Sequence, residues 1–530
     1  MPREKREKTN SKVDHIMCRI LNIQKFGGKN IIFRCLMTAI EFMLVFVISF
    51  AMLKYVNREV KLLAFHLDDL NNYTSFLEFP KLSSWIIPYD PTRMHYRPVF
   101  YFFLFIIFKL ITGNVSRLLL INLFVNSVVS TGIYFLMRSL KINRILSALS
   151  IVFYSYISYS YFQIYQAIGI IEALPLLVSL IILVLSIKSE NSNIKTFNII
   201  IITNWILYII MVFTHERYFP MMLLILIQIV LNKNVVKKAK YFAISFIEFF
   251  VFFAIRYYHL RIIVPRGTDC SDLIANFDLL RSFKFIFHQI MYLLGANLGP
   301  RYLCGMNIYE MDKRMIIFIV LSAVSIVAIL VINFATKTVK KYGENNNKNH
   351  INVYILLYIF LCILQSSLTI RVELRWLYAS FMALFIYLAY TLNLIINIKN
   401  ANKNMLKRLT LFIFIVFYAS RMWLNRYYKK YDNYIFLINE QKPINTLALE
   451  SVYKYGIEKI RDMTIIMPSE NFNIISDYEK IHFFDPFDGK FSDRDMIVID
   501  SDADRINAAL SNENEIVIVE DLNYQYKEIK

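Results

Sequence analysis

Residues 199–213 read IIIITNWILYIIMVF, a run with apolar side chains on every side of whatever regular element it forms. No globular surface can carry such a segment, so it belongs in a core or in lipid. Comparable runs recur along the 530 residues, and only 12 Gly and 12 Pro interrupt them. The chain is 57% hydrophobic and 19% charged, with a mean hydropathy of +0.45, which excludes a water-soluble domain of this size. A β-barrel is excluded as well. Its strands alternate polar and apolar residues over about ten positions, and these runs do not alternate. Helices remain, because they satisfy their own backbone hydrogen bonds in lipid.

A span needs about 20 apolar residues. Runs near that length begin at Ile31, Leu118, Ile145, Ile171, Thr196, Tyr218, Tyr241, Met315, Ile351, Trp376 and Leu411. They predict eleven transmembrane helices. The basic N-terminus, residues 1–30, precedes a first run that is too long for a signal peptide and lacks a small-residue cleavage site, so that run reads as a retained anchor. A twelfth run, PVFYFFLFIIFKLITG (98–113), is short and contains Lys109. With that run on the membrane surface, the loops at 1–30, 138–144, 188–195, 232–240, 336–350 and 398–408 share one side and carry 25 Lys/Arg. The short opposite loops at 163–171, 214–217 and 370–375 carry three. This asymmetry is what the positive-inside rule demands, so 98–113 is expected as an interfacial or re-entrant helix and the N-terminus as cytoplasmic.

The net charge of +19 is confined to the membrane part. From Asn425 onward the chain has 13 Lys/Arg against 20 Asp/Glu, so a nucleic-acid partner is not indicated. The expected domains are thus a basic tail (1–30), a transmembrane domain (31–425) with outer loops 56–117 and 259–314, and a small outer α/β domain (426–530). In the last, MTIIMP, DMIVID and EIVIVE read as short buried strands of a roughly parallel sheet. The five Cys have no metal or redox spacing, although Cys270 and Cys304 share a loop and could pair in an oxidising compartment.

Charged clusters gather on the face opposite the basic loops. The first outer loop holds FHLDDLNNY, where Asp68 and Asp69 either take a proton and hold a metal or cap a short helix. Then comes DPTRMHYRPVF, with Asp90, Arg93, His95 and Arg97. Arginine suits a phosphate because its planar fork donates paired hydrogen bonds, yet it also anchors to lipid head groups. VFTHERYFPMM places His215, Glu216 and Arg217 between two apolar helices, as ligand groups or as a pairing within the bundle. LTIRVELRWLYAS repeats the pattern with Arg371, Glu373 and Arg375, followed by Trp376 and Tyr378 in an aromatic-belt setting. Glu172, Arg256, His259 and Arg261 fall near the same face, while Arg34 and Glu41 lie seven apart on one face of the first helix.

Taken in order, a first-loop DD, an Arg97-Pro98 opening an interfacial helix, the His215-Glu216 pair, and Glu373-Leu374-Arg375-Trp376-Leu377-Tyr378 opening a late span resemble the GT-C superfamily of polytopic glycosyltransferases, in particular the protein O-mannosyltransferase-like branch. The likeness covers roughly residues 30–425. It implies transfer of a sugar from a polyprenyl-phosphate or polyprenyl-diphosphate donor to a glycan, lipid or protein acceptor outside the cytoplasm. It further implies that Asp68 or Asp69 is the general base, that Arg97, Arg371 or Arg375 stabilises the departing phosphate, with His95, His215, Arg217, Glu373 and Tyr378 around the donor, and that Glu216 orients the acceptor or a metal. Some members use a divalent cation, magnesium or manganese, for which Asp68 and Asp69 are the matching ligands. The late element has Leu374 inserted between acid and base, no WWD-type motif is present, and the C-terminal region is not a TPR array. Two other readings share these residues: a transporter or flippase of a lipid-linked glycan, and a non-catalytic envelope assembly protein.

Overall fold

The computed structural model describes residues 31–398, except part of 61–67, 88–94, 113, 158–160, 265–272, 297–310, 341–349 and 371. It then describes 404–430, 450–460, 463–467, 481–482, 497–499, 502–512, 515–520 and 526–528. Each of the eleven apolar runs is a helix. We number them α1 (Ile31–Val56), α5 (Arg117–Ser139), α6 (Arg144–Tyr156), α8 (Ile170–Ser189), α9 (Ile194–Thr214), α10 (Met222–Leu231), α11 (Lys238–Leu260), α13 (Lys313–Lys340), α14 (His350–Ser367), α15 (Tyr378–Ile396) and α16 (Asn404–Lys430). Between them lie the shorter α2 (Asp68–Glu78), α3 (Leu82–Ile86), α4 (Pro98–Ile111), α7 (Tyr161–Tyr165) and α12 (Leu279–Leu294).

Among the described residues, seven segments are long and apolar enough to cross a membrane: Cys35–Val56, Arg117–Ser139, Ala167–Ser189, Ile194–Thr214, Lys313–Ala335, His350–Ser367 and Arg375–Ile396. The protein is a helical membrane protein on that count. The other four expected spans fall short for separate reasons. α6 has 13 residues and α10 has 10, the latter extended at its start by a 3-10 turn at Glu216–Met221. α11 and α16 have the length, at 23 and 27 residues, but α11 carries basic and acidic groups and α16 several basic ones.

The basic turns between helices are built to restart a helix. Asn143 and Asn193 cap α6 and α9, their side chains accepting from Leu146 N at 2.8 Å and Thr196 N at 3.0 Å. Short turns make consecutive helices antiparallel neighbours, and α8 packs on α9 in this way. α15 is the central helix, buried along almost its whole length, whereas α1 is peripheral and exposes Phe33, Met37, Met43, Leu44 and Val47. α6 and α15 meet through stacked aromatics, Phe153 lying 4.4 Å from Phe385 and 5.1 Å from Phe381.

Helix α4 is held at both ends by contacts with other segments. Its first residue follows Arg97, which meets Glu216 just beyond α9. Near its other end Phe108 packs on Phe65 and Tyr73 of the first loop, and Asp69 of that loop reaches Ala167 at the head of α8. Both ends of this 14-residue helix therefore sit at one end of the bundle, and its length of about 21 Å runs across that end rather than through the roughly 30 Å of a hydrocarbon core.

The C-terminal region contains a four-stranded sheet in the order β2-β1-β3-β4, with β1 Thr464–Met467, β2 Ile497–Ile499, β3 Glu515–Glu520 and β4 Tyr526–Glu528. β1 is parallel to β2 and to β3, as the three apolar runs suggest. β4 is antiparallel to β3, pairing Val519 with Lys527. Its polar sequence YKE carries no strand pattern, because an edge strand has only one neighbour to satisfy. Ala503–Ser511 forms the expected helix, covering Ile466 and Val517 with Ala509.

Candidate functional site

Five separated segments bring charge to the end of the bundle that α4 crosses. The 3-10 turn after α9 places Glu216 in the interior, 2% exposed. A carboxylate so placed requires partners, and it has three. Arg97 donates through Nε at 2.5 Å to one oxygen and through Nη2 at 3.2 Å to the other. His95 Nδ1 lies 2.6 Å from Oε1, and Arg256 Nη1, from the end of α11, 3.7 Å from the same oxygen. An ionised carboxylate only accepts, so Nδ1 of His95 carries the proton.

A second carboxylate, Glu172 in the first turn of α8, is equally buried and accepts from Arg217 Nη2 at 2.6 Å. His215 bridges the two, 4.0 Å from Glu216 and 3.9 Å from Glu172, with its Nδ1 accepting from Arg217 N. The third pair is Glu373 with Arg375 Nε at 2.5 Å. Arg375 also lies 3.8 Å above the ring of Phe162, and Arg217 lies 4.9 Å above that of Trp376, so the late element closes over α7 and the middle turn.

Charge and burial settle the protonation states. Burial pushes the Glu216 carboxyl up, but the Arg97 guanidinium and His95 beside it overcome that and hold it well below the usual carboxylate range. Burial drives His215 well down, reinforced by Arg97 and Arg217, and burial together with Arg97 lowers His95. Both imidazoles are neutral at pH 7. Four guanidiniums, those of Arg97, Arg217, Arg256 and Arg375, then face the carboxyl groups of Glu172, Glu216 and Glu373 in a largely buried site. Among the described residues, the buried Nε and Nη1 of Arg217 and Nε1 of Trp376 beside it have no acceptor in good hydrogen-bonding geometry, and the Tyr218 side chain is the polar group that the guanidinium faces besides Glu172. Such donors cost free energy until an acceptor arrives.

Asp68 and Asp69 separate. Successive helix positions point about 100° apart, and Asp68 is exposed while Asp69 is 1% exposed. Asp69 accepts from Ala167 N at 2.7 Å and Ile168 N at 3.0 Å, so it caps the turn that opens the α8 span, a helix remote from its own. The pair therefore does not fit a shared divalent ion. Among the described residues no group of three His, Cys, Asp or Glu is arranged to hold a metal. Tyr378 also stands apart: its hydroxyl donates to Tyr154 O at 3.3 Å inside the core. His259 stacks on Tyr96 at 4.4 Å, Arg261 is exposed, and Glu41 accepts from Tyr134 on α5 at 2.6 Å. Asp90, Arg93, Arg371, Cys270 and Cys304 lie outside the described residues, as does the side chain of Arg34.

Sequence reasoning overlooked what supports the floor of the site. Residues 163–166 run as buried, partly non-helical backbone, and Asn122 and Asn126 of α5 hold them, donating to Gln166 O at 2.9 Å and Gln163 O at 3.0 Å. Tyr154 orients Asn126 from the other side at 2.7 Å. Gly169 is required there, because a Cβ would lie 2.5 Å from Phe162 O. The available signal was two amides four residues apart in an otherwise apolar helix, which place both on one face. No family model matches the chain, and no curated protein matches it.

Proposed function

We propose that this protein is a glycosyltransferase that moves a sugar from a polyprenyl-phosphate or polyprenyl-diphosphate carrier to an envelope glycan, lipid or protein on the outer side of the plasma membrane. The observation that carries the reading is the arginine-rich network itself: Arg97, Arg217, Arg256 and Arg375 gather around Glu172, Glu216 and Glu373 at the end of a bundle that also displays an exposed carboxylate, Asp68. A phosphate ester held in a lipid is the anion that reaches such a position. Asp68 would accept the acceptor's proton as its oxygen bonds to the sugar carbon, and the departing phosphate would take the electrons of the broken bond opposite the guanidiniums. Eleven spans, a cytoplasmic N-terminus and an outer C-terminal domain complete this reading, with 25 basic residues in the loops of the opposite side as its support.

Purified protein in proteoliposomes, offered polyprenyl-phosphate hexoses one at a time with an envelope extract as acceptor, tests the proposal. Transfer by the native chain, with Asp68→Asn inactive yet normally folded and Arg217→Lys weakened for the donor, is the expected result. Full transfer by Asp68→Asn overturns the role of the base. Movement of donor across the bilayer without any product overturns the enzyme reading in favour of a flippase.

A further inference from the structure

Helix α12 is built inside out for a loop. Its buried side carries Ser282 and Gln289 beside Tyr292 and Leu293, while Leu279 (57%), Leu280 (81%), Phe283 (59%), Phe287 (58%) and Ile290 (43%) are exposed. At about 100° per residue these five fall in a single arc about 100° wide. Lys284 follows one border of the arc with His288 beyond it, while Arg281 lies on the far side and donates to Asn276 O. A continuous apolar face of this size is not tolerated in water on a solitary loop helix.

The rest of the molecule fixes how deep that face lies. Gln289 donates to Ser367 Oγ at 2.6 Å and accepts from Ser366 Oγ at 2.6 Å, tying α12 to the last turn of the α14 span. Gly295, at φ +121°, ends the helix; its carbonyl accepts from Tyr428 of α16 at 2.7 Å. Buried Arg421, on the same helix, donates to Tyr292 O at 3.4 Å. A Cβ at Gly295 would stand 3.4 Å from Ser322 Oγ, which places the joint about nine residues inside the α13 span, or roughly 14 Å of helix. The helix is therefore bolted below the ends of α13 and α16, beside the exposed, lipid-type residues Val320, Leu321 and Val324 of α13.

We propose that the exposed face of α12 lies in the acyl region of the bilayer half that borders the charged site, with Lys284 reaching along its border to anionic head groups. The occupant is lipid rather than protein because the apolar arc continues onto the outward side of a membrane span and is edged by basic, not acidic, residues. Its consequence is mechanical. The segment beyond α14 that carries Glu373 and Arg375 and the helix that leads to the C-terminal region are both tied to one membrane-seated element.

Spin labels placed singly at 280, 283, 287 and 284, in the full chain with its five Cys replaced and reconstituted in bilayers containing anionic lipid, test this through collision with oxygen and with a water-soluble nickel chelate. High oxygen and low nickel accessibility at 280, 283 and 287, with more nickel contact at 284, is expected. High nickel accessibility at 283 and 287 overturns the proposal in favour of a water-facing helix. Low accessibility to both reagents overturns it in favour of a covering protein, a second copy included. The reading does not depend on the catalytic proposal, and an unchanged circular dichroism spectrum and melting temperature keep each labelled chain interpretable.

Discussion

Two buried polar clusters sit in this bundle and answer different demands. Deep among the helices, Asn204 of α9 donates to Gln228 Oε1 at 2.7 Å and to Ser186 Oγ at 3.2 Å, joining α8, α9 and α10. Every member is neutral and its bonds run directly between neighbouring helices, as expected of groups that fix which helix faces meet. At the end of the bundle, Glu172, Glu216 and Glu373 meet four arginines and two histidines drawn from five segments. That cluster is charged and draws its arginines from separated segments to one end of the bundle. Replacing a buried ion pair by apolar packing is often neutral or stabilising, so a network that costs this much desolvation is weak evidence for stability and better evidence for a ligand.

Breaking the charged cluster at its centre should give the largest effect. Glu216→Gln removes the carboxylate charge that half-buried Arg97 and buried Arg256 face, a loss of about 3–5 kcal/mol. It should appear as a large drop in melting temperature in detergent. Glu216→Gln at native stability would mean that water reaches these arginines and that the site is open.

Acid should erode the same cluster next. His95 and His215 are held below their ordinary value of 6.5, and Glu216 is held below its ordinary carboxylate value. Groups with depressed values in the folded state bind fewer protons there than when unfolded, so their contribution is complete above the unfolded value and declines as pH falls. Stability should be flat above about pH 7 and decline through pH 6 to 4. The double variant His95→Gln with His215→Gln should flatten the upper part of that decline. An identical profile in this variant assigns the acid loss to other groups.

The sequence makes the apolar elements legible because burial in lipid leaves a one-dimensional record: a run of side chains with no polar face can only be a buried or spanning helix. Convergence of His95, Arg97, His215, Glu216, Arg217, Glu373 and Arg375 follows from alternation of helices, since every second turn returns to one end. What alternation does not encode is pairing. That Arg256, at the far end of an ordinary-looking helix, turns onto Glu216, or that Asp69 reaches 98 positions ahead to cap α8, depends on which helices are neighbours. Edge strand β4 escaped for a related reason, its three residues being chosen by solvent on one side.

The two adjacent aspartates give the finer test of the contrast. Asp69→Asn keeps one acceptor oxygen and turns the other into a donor facing a backbone N–H, which should cost about 1–3 kcal/mol. Asp68→Asn, at an exposed position, should change stability by less than about 0.5 kcal/mol. Thermal melts of both variants beside the transfer assay separate a cap from a base. Equal loss of stability in the two would place both carboxylates in support of the fold.

The smallest change belongs to the neutral cluster. Asn204→Ala removes an amide whose bonds to Gln228 and Ser186 have a competitor, because Ser186 Oγ also donates to Gln228 Oε1 at 3.1 Å. The Ser186 to Gln228 bond remains, so no charge and no unshared acceptor is exposed, and Gln228 Nε2 lacks a partner among the described residues with or without Asn204. Interhelical hydrogen bonds of this kind contribute about 0.6 kcal/mol on average within a membrane, and a loss of that order, with transfer unchanged, is expected in detergent unfolding. A loss as great as that of Glu216→Gln would mean that the amide, and not packing around it, sets the register of α8 against α9.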